Sequence, residues 1–214
     1  MTRPRYLLWD WNGTLLDDAD ACVDAINVLL RRRGLPVLSR EQYVALFDFP
    51  VRRYYATLGF DLAREEWNAI TVEYHDAYAV RAARTPLRPG VPALLERLAL
   101  AGFRHAILSA SERRLLARMV EERGIARWFD RLSARDDFHA ESKVDQGRCL
   151  LQALGVPAAE ALLIGDTRHD AEVAGALGCG CLLLAGGHSD RARLDRCGWP
   201  VLETLDDVAT WLLR

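Results

Sequence analysis

Short apolar runs alternate with helix-like segments from residue 86 to the C-terminus of this 214-residue chain. The apolar runs have the length of strands and lie at residues 103–108, 129–133, 162–164 and 179–184. The segments between them show the periodicity of helices. Because strands that alternate with helices form βαβ units and a parallel sheet, this part of the chain predicts an α/β fold.

An earlier apolar run, residues 6–9, is separated from the others by a long stretch that is helical in pattern. Helices are predicted in this stretch at residues 18–33, 39–47, 51–58 and 64–83. No strand-like run interrupts it before residue 103. The chain is therefore predicted to have a core in two pieces, with a helical insert after the first strand.

The segment from Asp10 to Thr14, with sequence DWNGT, follows directly on the first apolar run. A carboxylate at the end of a buried strand is costly unless a cation or a metal pairs with it. The strand ends of an open α/β sheet are also where such folds bind ligands. Gly13 allows the backbone to approach an anion closely, and Thr14 supplies a hydroxyl. We therefore interpret Asp10 as a chemical group, although Asn-Gly is also a common turn pair.

Lys143 is the only lysine in the chain, whereas 27 residues are arginine. Its retention indicates that a compact, rotatable ammonium is needed at this position. Ser142 is typical of a helix N-cap, with a helix predicted at 144–154. A cation in the first turn opposes the helix dipole, at a cost of about 0.3–1 kcal/mol. We favour a functional role for Lys143 over that of a solvated surface lysine.

Two further strand-like runs end on polar residues. The run at 103–108 is followed by Ser109, and the run at 162–164 is followed by Gly165 and Asp166, with Asp170 close behind. Asp166 and Asp170 also suit helix N-capping, because a helix is predicted immediately after them.

Taken in order, these four segments resemble the motifs of haloacid dehalogenase superfamily hydrolases, in particular the phosphoglycolate phosphatase-like group. The motifs are Asp10–Thr14, Ser109, Lys143 and Asp166 with Asp170, and the resemblance covers the whole chain. The segment at 88–95 resembles the point where that family re-enters its core after a cap domain. The resemblance implies a Rossmann-like core of residues 1–15 and 86–214 with an all-helical cap at residues 16–85.

The resemblance also implies an activity. The expected enzyme is a phosphatase that forms an aspartyl-phosphate on Asp10, uses Mg²⁺ and acts on a small phosphorylated metabolite. Asp10, Asp166 and the backbone carbonyl of Asn12 would bind the metal, with Asp170 binding it directly or through a water. Lys143 would pair with both the nucleophile and the phosphate. The phosphoryl group would be held by Ser109, Ala110, Gly13 and Thr14.

The sequence departs from that family at Asn12. Most phosphatases of the superfamily carry an aspartate there, which protonates the leaving oxygen and later activates water; asparagine can do neither. Metal binding is expected to survive, because it uses the backbone carbonyl. Asp17 and Asp18 are candidates for a substitute acid–base group, although we favour a helix-capping role for Asp18.

Four interpretations of this departure stay open. The first is a phosphatase in which another group or water replaces the missing acid, and the second is a slow enzyme or phosphotransferase whose phospho-aspartate persists. The third is a degenerate protein that binds a phosphorylated ligand without turnover. The fourth is a dehalogenase or phosphonatase, but the cap has no lysine for a phosphonatase Schiff base, and dehalogenases do not need the retained aspartates. We favour the first.

The predicted cap carries nine of the chain's eighteen aromatic residues. Arg52 and Arg53 lie in its densest aromatic segment and are candidates to bind a second anionic group of the substrate, although packed aromatics and solvated arginines fit equally well. His169 lies inside the last motif, where we expect a solvated loop side chain. His188 receives no role from its neighbours in sequence.

Composition excludes several other classes of function. The net charge of −2 gives no basic field for nucleic acid or an anionic membrane. No apolar run has the length of a membrane span, and the first strand begins too early to leave room for a signal peptide. Five cysteines without a Cys-x-x-Cys pair are typical of reduced thiols. We therefore expect a cytoplasmic protein that is a monomer or a weak homodimer.

Overall fold

The computed structural model describes residues 4–135 and 142–214. Within them, six strands form one parallel sheet in the order β3-β2-β1-β4-β5-β6. The strands are β1 (Tyr6–Trp9), β2 (Arg104–Glu112), β3 (Phe129–Arg135), β4 (Ala161–Gly165), β5 (Gly180–Leu184) and β6 (Val201–Leu202). The predicted α/β, Rossmann-like class is confirmed.

The sheet is buried on both faces, which is why its strands are apolar throughout. Along β1, Leu7 and Trp9 belong to one hydrophobic cluster, and Tyr6 and Leu8 belong to a second. The helices that follow β1 in the core are α5 (Val91–Leu100), α6 (Arg113–Glu122), α7 (Lys143–Leu154), α8 (Arg168–Leu177), α9 (Arg191–Asp195) and α10 (Leu205–Leu212).

Four helices separate β1 from α5. They are α1 (Ala19–Arg32), α2 (Arg40–Leu46), α3 (Val51–Thr57) and α4 (Trp67–Ala82). Helix α1 packs against α4, and α2 begins with the capping box of Ser39 and Gln42. The division of the chain into a core and a separate cap domain remains a prediction.

Several boundaries differ from those that the sequence indicates. Strand β2 continues to Glu112, so that Ser109 lies inside the strand; its pairing with β3 is irregular between Leu108 and Glu112. Helix α4 begins at Trp67, three residues later than predicted. The last three elements, α9, β6 and α10, are not predicted from the sequence. Strand β6 is only two residues long and gives no apolar run.

The strand order determines where a site can form. Connections from β1 lead to β2 and β3 on one side, whereas β4, β5 and β6 lie on the other. The order therefore reverses between β1 and β4, and ligands of open α/β sheets bind outside the carboxyl ends of the strands at such a reversal. Among the described residues, no helix combines the length and apolarity needed to cross a membrane.

Candidate active site

Three carboxylates meet at this reversal point. Asp10 follows β1, Asp166 follows β4, and Asp170 lies in the first turn of α8. Their side chains place oxygen atoms within 4.8 Å of one another. All three residues are buried, with exposures of 7%, 0% and 1%. The topology thus brings together the aspartates that the sequence singles out at two strand ends.

Lys143 joins two of these carboxylates. Its Nζ donates to Asp10 Oδ1 at 2.5 Å and to Asp170 Oδ1 at 2.6 Å. The side chain is 5% exposed, so the alternative of a solvated surface lysine is wrong. As predicted, Ser142 caps α7, accepting from the backbone N–H of Asp145. The cap places the ammonium next to the strand ends.

Asp166 and Asp170 are held in different ways. Asp170 accepts hydrogen bonds from the backbone N–H and the hydroxyl of Thr167 in a capping box, so it combines helix capping with its contact to Lys143. Asp166 accepts from the Thr14 hydroxyl at 2.9 Å and from the His188 backbone N–H at 2.6 Å. The Thr14 hydroxyl is therefore committed to a carboxylate rather than to the phosphate.

Close backbone approach to Asp166 explains two glycines. A Cβ on Gly13 would lie 2.3 Å from Asp166 Oδ2, and one on Gly187 would lie 2.1 Å from it. Gly13 also has a φ of +72°, a conformation that side chains rarely adopt. Both loops therefore need glycine for the carboxylate to be enclosed.

The cluster carries more negative than positive charge. Burial raises the pKa of Asp10 to about 8, because Asp170 and Asp166 add to it and Lys143 only partly opposes it. Burial also raises the pKa of Asp166. For Asp170, burial is outweighed by Lys143 and by the Thr167 hydrogen bonds, so its pKa is lowered. An all-oxygen donor set with excess negative charge fits a hard divalent cation.

A second buried carboxylate, Asp18, lies beside Asn12. It accepts from Asn12 Nδ2 at 2.6 Å, the Gly13 backbone N–H at 2.7 Å and the Tyr78 hydroxyl at 2.7 Å. His188 Nε2 lies 3.2 Å from Asp18 Oδ1, the oxygen that also accepts from the Gly13 N–H. Asp18 precedes α1 but makes no side-chain cap hydrogen bond, so the predicted capping role is wrong. It also takes the Gly13 N–H, which was expected to bind phosphate.

Asp18 and His188 form a buried ion pair. Burial opposes the ionisation of Asp18, but His188 and the hydrogen bonds from Asn12 and Tyr78 outweigh it and lower the pKa to about 2. Burial likewise opposes protonation of His188, but Asp18 outweighs it and raises the pKa to about 9. Sequence reasoning missed His188. The available signal was its position in a glycine-rich loop just after β5, a third strand end.

Ser109 is buried and does not line the cavity beside the carboxylates, whereas Ala110 and Ser111 do. The Ser109 hydroxyl donates to Ser111 Oγ at 3.0 Å, and Ser111 Oγ donates to Asn12 Oδ1 at 2.7 Å. Ser109 therefore orients Ser111, which in turn orients Asn12.

The solvent exposure of four other side chains differs from what their predicted roles require or imply. Arg52 and Arg53 are exposed and are not among the cavity-lining residues, so the structure does not bring them to the site. Asp17 is exposed as well. His169 is half-buried and stacks on Phe49 with ring centroids 4.3 Å apart, so the expected solvated loop side chain is wrong.

A cavity of about 390 Å³ extends from Asp10, Lys143 and Asp170 to the helices α1–α4. This volume lies within the roughly 300–1,000 Å³ typical of small-molecule sites. The aromatic residues that helices α2–α4 and their connections contribute to its wall are Tyr43, Phe47, Phe49, Tyr54, Tyr55, Trp67, Tyr74 and Tyr78.

A second group of potential metal ligands adjoins the first. Asp18, Cys22 and His188 also place ligand atoms within 4.8 Å of one another. Asp18 already contacts the other two side chains: Cys22 Sγ donates to its Oδ2 at 3.5 Å, and His188 Nε2 lies 3.2 Å from its Oδ1. Burial raises the pKa of the Cys22 thiol. All five cysteines are free, in agreement with the expected reduced thiols.

Comparison with known proteins identifies the family of this chain and structures with the same fold. The sequence model of the haloacid dehalogenase-like hydrolases matches residues 7–184. A phosphoglycolate phosphatase from Pseudomonas savastanoi pv. phaseolicola is 28% identical over 87% of this chain and 71% of the relative. The tyrosine-protein kinase PtkA from Mycobacterium bovis is 26% identical over 96% of this chain and 71% of the relative. A haloacid dehalogenase-like hydrolase from Streptococcus pneumoniae superposes with a TM-score of 0.86, at 21% identity over 99% of each chain.

Proposed function

Because the chain belongs to the haloacid dehalogenase-like hydrolases, we propose that it is a phosphatase that cleaves a small phosphorylated metabolite through an aspartyl-phosphate on Asp10. The observation that carries this proposal is the bridge from Lys143 Nζ to Asp10 and Asp170 inside a buried carboxylate cluster that opens into a cavity. The similar phosphoglycolate phosphatase supports the reaction class.

The proposed reaction has two displacements at phosphorus. An Asp10 oxygen attacks the phosphoryl group, the P–O bond to the substrate breaks, and the leaving oxygen departs with the bonding electron pair. Water then attacks the aspartyl-phosphate, releasing inorganic phosphate and restoring the carboxylate. Lys143 offsets the negative charge of both the nucleophile and the phosphoryl oxygens. Asn12 cannot transfer a proton in either step, so the leaving oxygen takes its proton from water.

Asp10, Asp166, Asp170 and the Asn12 backbone carbonyl are proposed to hold Mg²⁺, with Asp170 acting directly or through a water. When bound, the cation supplies positive charge that reduces the repulsion between Asp10 and the phosphate. Burial and repulsion from the neighbouring carboxylates raise the pKa of Asp10 and Asp166. A divalent cation between these carboxylates would relieve that repulsion, which supports the assignment.

Removing divalent metal is expected to abolish turnover and to lower the melting temperature. A ligand at 100 times its Kd stabilises a folded protein by about 2.7 kcal/mol, so Mg²⁺ titration should raise the melting temperature measurably. Asp166→Asn should weaken that rise, because it removes one proposed ligand. Calorimetric unfolding and activity with and without chelator measure both effects. Full turnover in excess chelator would contradict the metal assignment.

Lys143→Ala is expected to lose both activity and stability. Activity should fall about 10²-fold or more, the scale for one preorganised donor. Stability measured without metal should fall by about 3–5 kcal/mol, because Asp10 and Asp170 would lose their buried cation. The helix-dipole argument alone predicts unchanged or slightly improved stability, but the buried contacts reverse that sign. Denaturant unfolding and steady-state rates test this, with Lys143→Arg as the charge-preserving control.

A phosphotransferase is the second candidate. Without an acid–base aspartate at position 12, attack of water on the aspartyl-phosphate is slow, which gives another acceptor time to react. The similarity to the tyrosine-protein kinase PtkA favours this alternative over a protein that only binds phosphorylated ligands. Incubation with a phosphate donor and tyrosine- or alcohol-containing acceptors distinguishes the two enzymes: phosphorylated acceptor indicates transfer, and inorganic phosphate alone indicates hydrolysis.

A further inference from the structure

We infer that the substrate is an aryl phosphate, a phosphoric monoester of a phenol-like aromatic molecule, and this inference rests on the proposed phosphatase function. Two independent features of the site support it: the aromatic wall of the cavity, and the absence of a proton donor at Asn12.

The cavity wall is a connected aromatic surface. Phe47 lies at its centre, with ring centroids 5.2 Å from Tyr43, 5.5 Å from Phe49 and 5.3 Å from Tyr54. Tyr43 and Tyr54 are almost fully buried, so packing fixes them behind the wall, whereas Phe47 and Phe49 are half-buried and supply ring area that a ligand can reach. Aromatic rings gain favourable energy from stacked or edge-to-face contact with another ring, beyond simple burial of area. This surface therefore suits a flat apolar group.

The same wall offers little to a second anion. Among the described residues, α1–α4 and their connections contribute no lysine, arginine, aspartate or glutamate to the cavity lining. His75 lines it, but burial and then Arg135 lower its pKa to about 4, so it is neutral at pH 7. Outside α1–α4, the lining contains Arg135 together with Glu112, its register partner across β2 and β3. It also contains the protonated His188, whose charge is paired with Asp18. A substrate with a second acidic group is therefore disfavoured.

The chemistry at Asn12 points the same way. A phenol has a pKa near 10, far below that of an alcohol, so a phenolate leaves without prior protonation. An alkoxide needs a proton, and Asn12 cannot supply one. The protonated ring of His188 also lines the cavity, but its two nitrogens are engaged by the Tyr43 hydroxyl and by Asp18. The lack of an acid at position 12 therefore reduces the rate least for aryl phosphates, which are also the substrates that best fit the aromatic wall.

Four probes separate binding of the ring by the cavity wall from departure of the leaving group without a proton: phenyl phosphate, benzyl phosphate, cyclohexyl phosphate and phosphoglycolate. Phenyl and benzyl phosphate should share low KM values, because both carry a ring, and phenyl phosphate should have the higher kcat, because its leaving group is a phenol. Phosphoglycolate should have the lowest kcat/KM. A phosphotyrosyl peptide distinguishes a free metabolite from a protein source of the same chemistry; the enclosed aromatic cavity leads us to expect faster turnover of phenyl phosphate.

Variants test the wall directly. Phe49→Ala removes a half-buried ring and should raise KM for phenyl and benzyl phosphate about 3–10-fold, and by more than for phosphoglycolate. Val80→Ala is the matched control, because Val80 lies in α4 and is 73% exposed.

Failure of the aryl phosphate inference can be distinguished from failure of the proposed phosphatase function. Equal kcat/KM across the probes, or the highest value for phosphoglycolate with its selective loss in Arg135→Gln, overturns the inference and leaves the phosphatase intact. No turnover of any probe overturns the phosphatase. If no probe turns over, calorimetry compares the binding affinities of phenyl phosphate and phosphoglycolate. Tighter binding of phenyl phosphate supports an aromatic ligand, and equal or weaker binding contradicts it.

Discussion

Asp10→Asn is expected to abolish turnover, with a fall of about 10⁶-fold, the scale observed when a covalent nucleophile is removed. The amide cannot form the acyl phosphate, and the two carboxylates next to it are already engaged by other partners. Asp166 is committed to Thr14 and His188, and Asp170 is committed to Lys143 and Thr167. Rapid-quench trapping should find phospho-enzyme in the wild type and none in the variant.

The same variant should not unfold the protein. Burial and two neighbouring carboxylates raise the pKa of Asp10 to about 8, so its negative charge is unfavourable in the metal-free protein. A neutral amide can still accept the hydrogen bond from Lys143. We therefore expect an unchanged or higher melting temperature in chelator, with Asp206→Asn, an exposed aspartate in α10, as the control. Retained turnover in Asp10→Asn would refute the nucleophile assignment, and loss of folding would indicate a structural role.

The sequence predicts those residues of the site whose location follows from their place at the end of a strand or the start of a helix. Asp10 and Asp166 follow buried parallel strands, and the carboxyl ends of such strands meet at one edge of the sheet. Lys143 was recognisable because it is the only lysine and stands where a cation opposes the helix dipole. Its two buried contacts show why that cost is tolerated.

Asp18 and His188 were not predictable in the same way. They are far apart in sequence, and each has an ordinary local explanation: a helix cap for Asp18 and a loop for His188. Their ion pair exists only because the loop after β5 packs against the start of α1. Tertiary contact therefore overrides the local capping preference of Asp18, which points towards Asn12 instead.

The error at Arg52 and Arg53 has a different cause. Helix α3 directs Val51, Tyr54 and Tyr55 to the cavity, a spacing of three and four residues that defines one helical face. Positions 52 and 53 then fall outside this face. The helical spacing is visible in the sequence, and it separates the arginines from the cavity even though they are next to aromatic residues along the chain.

Asn12→Asp is expected to raise the rate on alkyl phosphates such as benzyl phosphate by about 10²–10⁴-fold, the usual contribution of general acid–base catalysis. The gain on phenyl phosphate should be small, because a phenolate needs little protonation. The wild type should also accumulate more aspartyl-phosphate than the variant, because water attack lacks a base. Steady-state rates on both substrates and rapid-quench trapping measure these effects.

The surroundings of Asn12 make this substitution more than isosteric. Asn12 Nδ2 donates to Asp18 at 2.6 Å and to Tyr78 at 2.8 Å, so an aspartate would place a second carboxylate against Asp18. Two carboxylates this close cannot both ionise cheaply, so one keeps a proton. That proton makes the new side chain a potential acid at neutral pH. The folded state then binds a proton that the unfolded state releases above about pH 4, so the variant should lose stability relative to wild type as pH rises from there.

The double substitution Asn12→Asp with Asp18→Asn is the matched control for this stability effect. It exchanges the two side chains, which restores one amide donor opposite one carboxylate and removes the shared proton. The loss of stability that begins near pH 4 should therefore disappear. Loss of the Asp18 carboxylate beside His188 leaves a separate cost, which should fade as pH rises towards about 9, where the His188 of the wild type deprotonates. If the single Asn12→Asp substitution instead lowers the rate on every substrate, Asn12 is part of a different mechanism. A persistent aspartyl-phosphate would then be the functional state, and transfer to an acceptor other than water would replace hydrolysis as the proposed reaction.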